Sequence, residues 1–268
     1  MGKGSEKAND RSAPVNALFL MFERDCRPHR SELIDAISAI QDITISHDPF
    51  QRDAAHRHAR EAFGDTPEGT WLELLKWGMT FDCLGLAPGP KLLLPPVRHR
   101  LSLSSDIDLA SHDAIALTPG PHLADASNSI PVVRALLDAA TALIEALGGV
   151  QAIYWGPSGS AMSRPVFTSL ASSWMEGGAF PALGLVGHIV DEQGRLCTDG
   201  LRWFVGRELA LSPELSLHRS AAMRIAIRLI HELVPLGRLD QETRFILDDG
   251  VELRVVPVDD ALIEVRTM

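Results

Sequence analysis

The chain has 268 residues, of which 46% are hydrophobic and 22% charged, and this composition excludes a disordered or collagen-like protein. Its formal net charge is −10, and residues 101–200 carry 10 acidic but only 3 basic side chains, so we expect neither a nucleic acid nor an anionic membrane as partner. The polar residues 1–13 lack the apolar segment of a signal peptide and predict a disordered tail, which leaves residues 14–268 as a single α+β domain.

The cysteines and the hydropathy pattern both indicate a cytoplasmic protein. Cys26, Cys83 and Cys197 lie far apart and form no C-x-x-C motif, which disfavours a disulfide framework and is typical of a reducing compartment. No window reaches the roughly 18 consecutive apolar residues that a membrane-spanning helix needs.

The first half of the chain predicts strands and helices in an alternating order. An apolar run at 17–22 predicts a buried strand, Ser31 can cap a following helix, and residues 43–45 alternate as a short strand. Further along, alternating apolar residues predict strands at 101–109 and 113–118.

Ser129 begins the strongest predicted helix, with Pro131 in its first turn and Gly148 after its last residue. We expect its apolar face to be buried: Val132, Val133, Leu136, Leu137, Ala140, Leu143, Ile144 and Leu147. We expect its opposite stripe to be exposed: Arg134, Asp138, Thr141 and Glu145. A strand at 151–155 follows, and with residues 48–96 set aside this order is that of the ferredoxin-like βαββαβ unit.

Residues 48–96 predict an insertion packed on one side of the main domain. Within it, residues 52–63 have the pattern of a polar helix and residues 71–77 that of one or two helical turns. Four prolines between residues 85 and 96 argue against regular structure there.

The second half predicts a further β-α-β segment. Ser163 begins a short helix, strands follow at 182–190 and 201–209, and residues 221–234 form an amphipathic helix. The chain ends in a predicted meander of three strands, at 244–247, 251–257 and 262–266, with Asp249-Gly250 as a hairpin turn. We therefore expect antiparallel sheets with helices packed on one face.

This half also contains the most specific pattern of the chain. The strand that ends at Tyr154-Trp155 is followed by Ser163-Arg-Pro-Val-Phe167, Thr198-Asp-Gly200-Leu201, Phe204-Val-Gly206 and Glu208-Leu209. In these residues the chain resembles a bacterial family catalogued as domain of unknown function 4261, over roughly residues 110–268. The resemblance implies a cytoplasmic α+β protein and transfers no activity. Arg207 departs from the family pattern, which has a small or apolar residue before the glutamate.

Glu208 is the most interesting carboxylate because it lies within this motif. If residues 201–209 form one strand, Glu208 shares a face with Phe204 and needs a partner on burial. The cations available to it are Arg202, Arg224 and Arg228. A structural ion pair makes the motif architectural, with roles for Thr198, Gly200, Leu201, Phe204, Gly206 and Glu208. The alternative is a cleft carboxylate with a raised pKa that performs chemistry.

His188 and Tyr154 are the other candidates for a polar cleft. Tyr154 is the only tyrosine and ends a strand, where its ring can line a pocket or join the core. His188 can act as a base for Cys197 if both lie near the loop end of one hairpin. A buried structural thiol is the simpler interpretation of Cys197.

Two further patterns suggest chemistry that the spacing does not support. Residues 156–160, Gly-Pro-Ser-Gly-Ser, resemble the G-x-S-x-G nucleophile elbow, but the fifth residue is Ser160 and the next helix begins too late, so we expect a turn.

His56 and His58, which invite a metal site with His47, point about 200° apart on a helix and cannot share a ligand face. We predict no metal and no cofactor.

No hydrolase, kinase, dinucleotide-binding or zinc motif remains after this inspection. We therefore expect a non-catalytic module that binds or regulates another protein, of unspecified oligomeric state. Two alternatives stay open: a small-molecule hydrolase or transferase with a polar cleft near Glu208, His188 and Tyr154, and a purely structural partner in an assembly. A deep polar pocket would favour the enzyme, whereas a flat apolar patch would favour a binding or structural role.

Overall fold

A computed structural model describes residues 14–49, 71–104, 107–247 and 250–268. Within these residues the chain forms two mostly antiparallel sheets and several helices. The tail predicted at 1–13 and the helix predicted at 52–63 lie outside the described residues, and so do His56 and His58.

The larger sheet has eight strands. Their bounds are Leu18–Phe22 (β1), Ile43–His47 (β2), Trp71–Lys76 (β3), Met79–Leu84 (β4), His99–Leu101 (β5), Asp113–Pro119 (β6), Val150–Trp155 (β7) and Ser160–Ser163 (β8). They lie in the order β2-β3-β4-β6-β1-β7-β8-β5, and neighbours are antiparallel except β5 and β8. All five residues of β1 are buried, which explains why the apolar run at 17–22 lies inside the sheet, covered on both faces.

The hairpin of β3 and β4 belongs to this sheet, so the prediction of an insertion over 48–96 is wrong for these strands. The helical turns predicted at 71–77 are also wrong, because Leu72, Leu74 and Lys76 alternate with more exposed residues at the strand period of two. The ferredoxin-like βαββαβ arrangement is not confirmed, since β3 and β4 lie between β2 and β6 and the sheet is much larger.

Three helices pack on one face of this sheet, at Arg30–Ser38 (α1), Ile130–Leu147 (α2) and Arg164–Met175 (α3). α1 begins before Ser31, because the Glu32 carboxylate accepts the amide hydrogen of His29 at 2.6 Å and fixes the first turn there.

The burial of α2 agrees with its predicted apolar face. Leu137 is 1% exposed and Ile144 is fully buried. On the polar stripe, Glu145 is exposed, but Arg134, Asp138 and Thr141 are half-buried, contrary to expectation. The Arg134 guanidinium lies over the Trp174 ring at 5.4 Å, and Asp138 forms an ion pair with the buried Lys76, so tertiary contacts cover both side chains.

An irregular proline-rich segment, residues 85–97, covers the opposite face of the same sheet. Leu92, Leu94 and Val97 pack there against a cluster that contains Phe19 and Tyr154. Partial burial of Leu92 and Leu94 explains why a segment without regular structure is still fixed in place.

The strand predicted at 101–109 is wrong for residues 102–104, 107 and 108, which form no strand, and for Leu109, where a short 3-10 turn (Leu109–Ser111) begins. Residues 105 and 106 lie outside the described residues. Arg27 fixes the first residues of the proline-rich covering segment in place. Its guanidinium, in a residue that is 8% exposed, donates to the carbonyls of Gly85 and Pro90 at 2.9 and 2.8 Å and also to that of Gly89.

The smaller sheet has six strands. Their bounds are Gly187–Val190 (β9), Leu196–Asp199 (β10), Glu208–Leu211 (β11), Thr243–Ile246 (β12), Glu252–Pro257 (β13) and Leu262–Thr267 (β14). They lie in the order β12-β13-β14-β11-β10-β9, and only β11 and β14 are parallel neighbours. The helices of this half are Ala182–Leu185 (α4), Leu201–Val205 (α5), Pro213–Ser216 (α6) and Arg219–Leu236 (α7).

The strands predicted at 182–190 and 201–209 are each half wrong, because a short helix occupies the first part of both segments. In the second segment, Gly200 and Gly206 have φ of +99° and +82°, a left-handed conformation that confines α5 to one turn. Short apolar runs do not distinguish a helix from a strand by periodicity, and this explains why the sequence predicted strands where short helices form.

One hydrophobic cluster extends through both sheets and the helices between them. Aromatic rings join the two halves: Trp155 on β7 lies 5.2 Å from Trp203 on α5, and Phe204 lies 5.0 Å from Phe180. The two sheets therefore share a core.

Candidate functional site

The Glu208 carboxylate closes the turn between β10 and α5. It accepts the Thr198 hydroxyl hydrogen at 2.6 Å and the amide hydrogens of Gly200, Leu201 and Arg202 at 2.8, 3.1 and 3.1 Å. These amides belong to the start of α5, where peptide dipoles favour a negative charge. The carboxylate therefore acts as a helix cap.

The predicted arginine partners of Glu208 are wrong. Arg202 contributes only its amide, and Arg228 pairs instead with Glu232 at 3.1 Å. No ion pair joins Arg224 to Glu208 within the described part of the chain. The expectation that Glu208 and Phe204 share a strand face is also wrong, since Phe204 lies on α5.

Gly200 brings this turn against the loop between β7 and β8. A Cβ atom at Gly200 would lie 2.6 Å from the Ser158 Cβ, a distance that side chains do not tolerate. Leu201 is fully buried beside it, and Phe204 packs in the aromatic cluster with Trp155. Thr198, Gly200, Leu201, Phe204, Gly206 and Glu208 thus all take part in this turn, its caps or its packing.

A polar cluster that the sequence did not predict lies at the same junction of the two sheets. Arg98 donates to both oxygens of Asp199, at 2.7 and 2.9 Å, and the His99 Nε2 lies 2.7 Å from the same carboxylate. Burial raises the pKa of Asp199, but the hydrogen bonds from Arg98 and His99 outweigh burial and hold the pKa below its usual value.

Ser158 and Ser160 lie beside this cluster, which gives it the composition of a Ser-His-Asp site. Their hydroxyl oxygens are 2.7 Å apart, and Ser160 is next to His99 in the sheet register. However, no hydrogen bond joins either serine to His99 within the described residues, and the two serines are 0% and 4% exposed. Acyl transfer needs a nucleophile that the substrate can reach, and both serines are buried in this structure.

His188 lies on β9, opposite Thr198 in the register. Its Nε2 is buried and has no hydrogen-bond partner in the described part of the chain. Burial, with the nearby charge of His99, lowers the pKa of His188 to about 4, so the ring is neutral at pH 7.

Cys197 does not pair with His188. Cys197 is opposite Ile189 in the register, so the two side chains project from opposite faces of the sheet. Burial and the Asp191 charge raise the pKa of the Cys197 thiol to about 11, which makes it a poor nucleophile.

Tyr154 faces the proline-rich covering segment. Its hydroxyl donates to the Pro96 carbonyl at 3.4 Å, its ring lies 5.5 Å from that of Phe19, and the residue is 1% exposed. Burial raises the pKa of Tyr154. No hydrogen bond links Tyr154, His188 and Glu208 to one another among the described residues.

β9 forms an open end of the smaller sheet and pairs only with β10 among the described strands. The Asp191 amide donates to the Arg195 carbonyl at 3.0 Å, and bonded pairs alternate along an antiparallel ladder. His188 and Val190 therefore direct their N–H and C=O groups away from β10. The side chains of Ile189 and Val190 are 45% and 48% exposed.

A cavity of about 220 Å³ opens beside this edge, between the β9–β10 hairpin and the start of α7. It is lined by Val190, Gly194, Leu196, Ser216, Arg219 and Ala222. Another cavity, of about 420 Å³, lies between α1 and the end of α2. Neither is lined by Tyr154, His188 or Glu208.

Among the described residues, no group of three or more His, Cys, Asp or Glu side chains could hold a metal ion. His47, the described member of the predicted histidine set, packs its ring 5.3 Å from that of Trp71. The helices of the described part of the chain include none that is both long and apolar enough to cross a membrane.

Comparison with protein-family models, curated proteins and solved structures finds no match to this chain. The resemblance to domain of unknown function 4261 therefore stays a prediction.

Proposed function

We propose that the protein is a non-catalytic binding module and that the open edge of β9 receives an extended segment of another protein. The observation that carries the proposal is the outward direction of the backbone groups of His188 and Val190 beside two half-exposed aliphatic side chains. A strand added at such an edge gains main-chain hydrogen bonds from the existing sheet.

β9 has no charged side chain or proline of the kind that protects sheet edges. β5 and β12, which end their sheets, carry Arg100 and Arg244, and charged side chains discourage strand addition. The exposed positions of β2 are the polar Thr44 and Ser46. β9 reads Gly-His-Ile-Val, without a formal charge or a proline.

The hydrolase or transferase alternative has less support. The Glu208 carboxylate is saturated by donors from its own turn, and the Tyr154 hydroxyl is engaged with a backbone carbonyl. A general acid or base needs a free, reachable oxygen or nitrogen at the substrate. The three free cysteines agree with the proposed reducing, cytoplasmic setting.

The proposal is tested by blocking the edge without disturbing β10. Val190→Pro removes an outward N–H and leaves the β9–β10 bonds, whereas Val190→Thr keeps the N–H and serves as the matched control. Beads carrying each form are incubated with an extract of the source organism, and retained proteins are compared by mass spectrometry.

We expect a partner that wild type and Val190→Thr retain and Val190→Pro loses. In the purified complex, the amides of His188 and Val190 should be protected from hydrogen exchange. Equal retention by all three forms, or unprotected amides in the complex, would contradict the proposal.

A further inference from the structure

The residues that line the cavity beside β9 indicate the chemistry of one side chain of the partner segment. This inference rests on the proposed function. Residues directly opposite each other in a ladder project to the same face. Val190 lines the cavity, so the partner residue opposite Val190 directs its side chain to the cavity mouth. A volume of about 220 Å³ is several times the roughly 30 Å³ that a water molecule occupies, enough for one side chain.

The residues that line the cavity are mostly apolar or small, and Arg219 is the charged residue among them. Val190, Leu196 and Ala222 supply apolar surface, and the guanidinium of Arg219 supplies a positive charge. Arg219 is exposed and has no ion-pair partner within the described residues, unlike Arg228 on the same helix.

The start of α7 adds to the positive charge of Arg219. Its N-cap residue His218 provides no side-chain cap, and the first backbone bond of the helix is from Ala222 to the His218 carbonyl. The preceding amides therefore point outward from the positive end of an 18-residue helix.

We propose that the partner segment places a glutamate opposite Val190. Its methylene groups would pack on Val190, Leu196 and Ala222, and its carboxylate would pair with Arg219.

A second copy of this chain that pairs through the centre of β9 does not supply that group. Two β9 strands paired about a two-fold axis at Ile189 would put His188, not a carboxylate, opposite Val190. The net charge of −10 also opposes self-association.

A random heptapeptide library displayed on phage is the probe. It is selected in parallel on the intact wild-type protein and on three variants: Val190→Pro, Arg219→Glu and Arg224→Gln. Arg224 is an exposed arginine on the same helix that does not line the cavity, so its variant is the matched control.

We expect wild type and Arg224→Gln to enrich sequences of alternating apolar residues with a glutamate at one fixed position. Arg219→Glu should replace that glutamate by lysine or arginine. For one selected peptide, changing the glutamate to glutamine should weaken binding to wild type roughly three- to tenfold. The same change should hardly affect binding to a fourth variant, Arg219→Gln, which lacks the charge.

The two failures are distinguishable. Loss of enrichment with Val190→Pro, together with sequences that have no fixed acidic position or that ignore Arg219→Glu, overturns the glutamate assignment and leaves the β9 edge as the binding surface. No enrichment on wild type, or equal enrichment on Val190→Pro, overturns the proposed function itself. A concentration-dependent dimer lost in Val190→Pro would make the occupant a second copy and overturn the glutamate assignment.

Discussion

The hydroxyl of Thr198 joins two strands through one oxygen atom: it donates to the Glu208 carboxylate at 2.6 Å and accepts the Leu209 amide hydrogen at 2.8 Å. This link closes the ladder between β10 and β11 at the end where α5 interrupts it. Glu208 then satisfies amides of α5 that lack partners within the helix.

Replacing Glu208 by glutamine should lower the free energy of unfolding by about 1–3 kcal/mol, because charge-assisted bonds to the amides of Gly200, Leu201 and Arg202 are lost. Urea denaturation measures the change. Arg202→Ala is the control and should stay within about 0.5 kcal/mol of wild type, since only the Arg202 amide takes part. Binding at β9 should survive in Glu208→Gln. An unchanged stability together with lost catalytic turnover would instead support the enzyme alternative.

Leu137 tests the packing of α2 against the larger sheet. Leu137→Ala should cost about 2–5 kcal/mol, because a side chain that is 1% exposed leaves a cavity. Thermal or urea unfolding measures the loss. Glu145→Ala on the exposed side of the same helix should change stability by less than about 0.5 kcal/mol. Equal effects of the two substitutions would refute the helix orientation.

His188 should make the protein less stable in acid. Burial and His99 hold the pKa of folded His188 at about 4, against 6.5 for the free side chain. Between these values the unfolded chain binds more protons, so the free energy of unfolding falls as pH falls from about 6.5 to 4, by at most about 3 kcal/mol. Urea titrations across this range should show a shallower dependence in His188→Gln; parallel curves would contradict the assignment.

Asp82 should make the protein more stable in acid, which is the opposite of the effect of His188. Burial, followed by the charge of Glu73 opposite it, raises the pKa of Asp82 to about 6 from 3.8. The folded protein therefore binds the extra proton, and this residue's contribution to stability increases as pH falls from about 6 to 3.8. Asp82→Asn should raise stability at pH 7 and remove this contribution, which the same titrations measure. A variant that is less stable at pH 7 would show that the ionised carboxylate is favoured.

The sequence predicted the long helices correctly and failed to predict the short ones. α2 and α7 extend over five turns each, so the apolar period appears several times and boundary residues such as Gly148 confirm it. α4 and α5 occupy one turn each, and within so few residues Leu201 and Phe204 fit a strand as well as a helix.

The candidate site was largely unpredictable for a different reason. Asp199 meets Arg98 and His99 across about a hundred residues of sequence, a contact that only the packing of two sheets creates. The open edge of β9 depends on strand order, which no local pattern contains. Only Glu208 and its turn carried a local signal, in the glycines that confine α5.

The aromatic rings that join the two sheets make it unfavourable to divide this chain between its two halves. A cut near residue 178 would separate Trp155 and Trp174 from Phe180, Trp203 and Phe204, and each fragment would expose aromatic surface that the other now covers. Truncated forms for crystallography or display should therefore retain both sheets, because neither half carries a complete interior of its own.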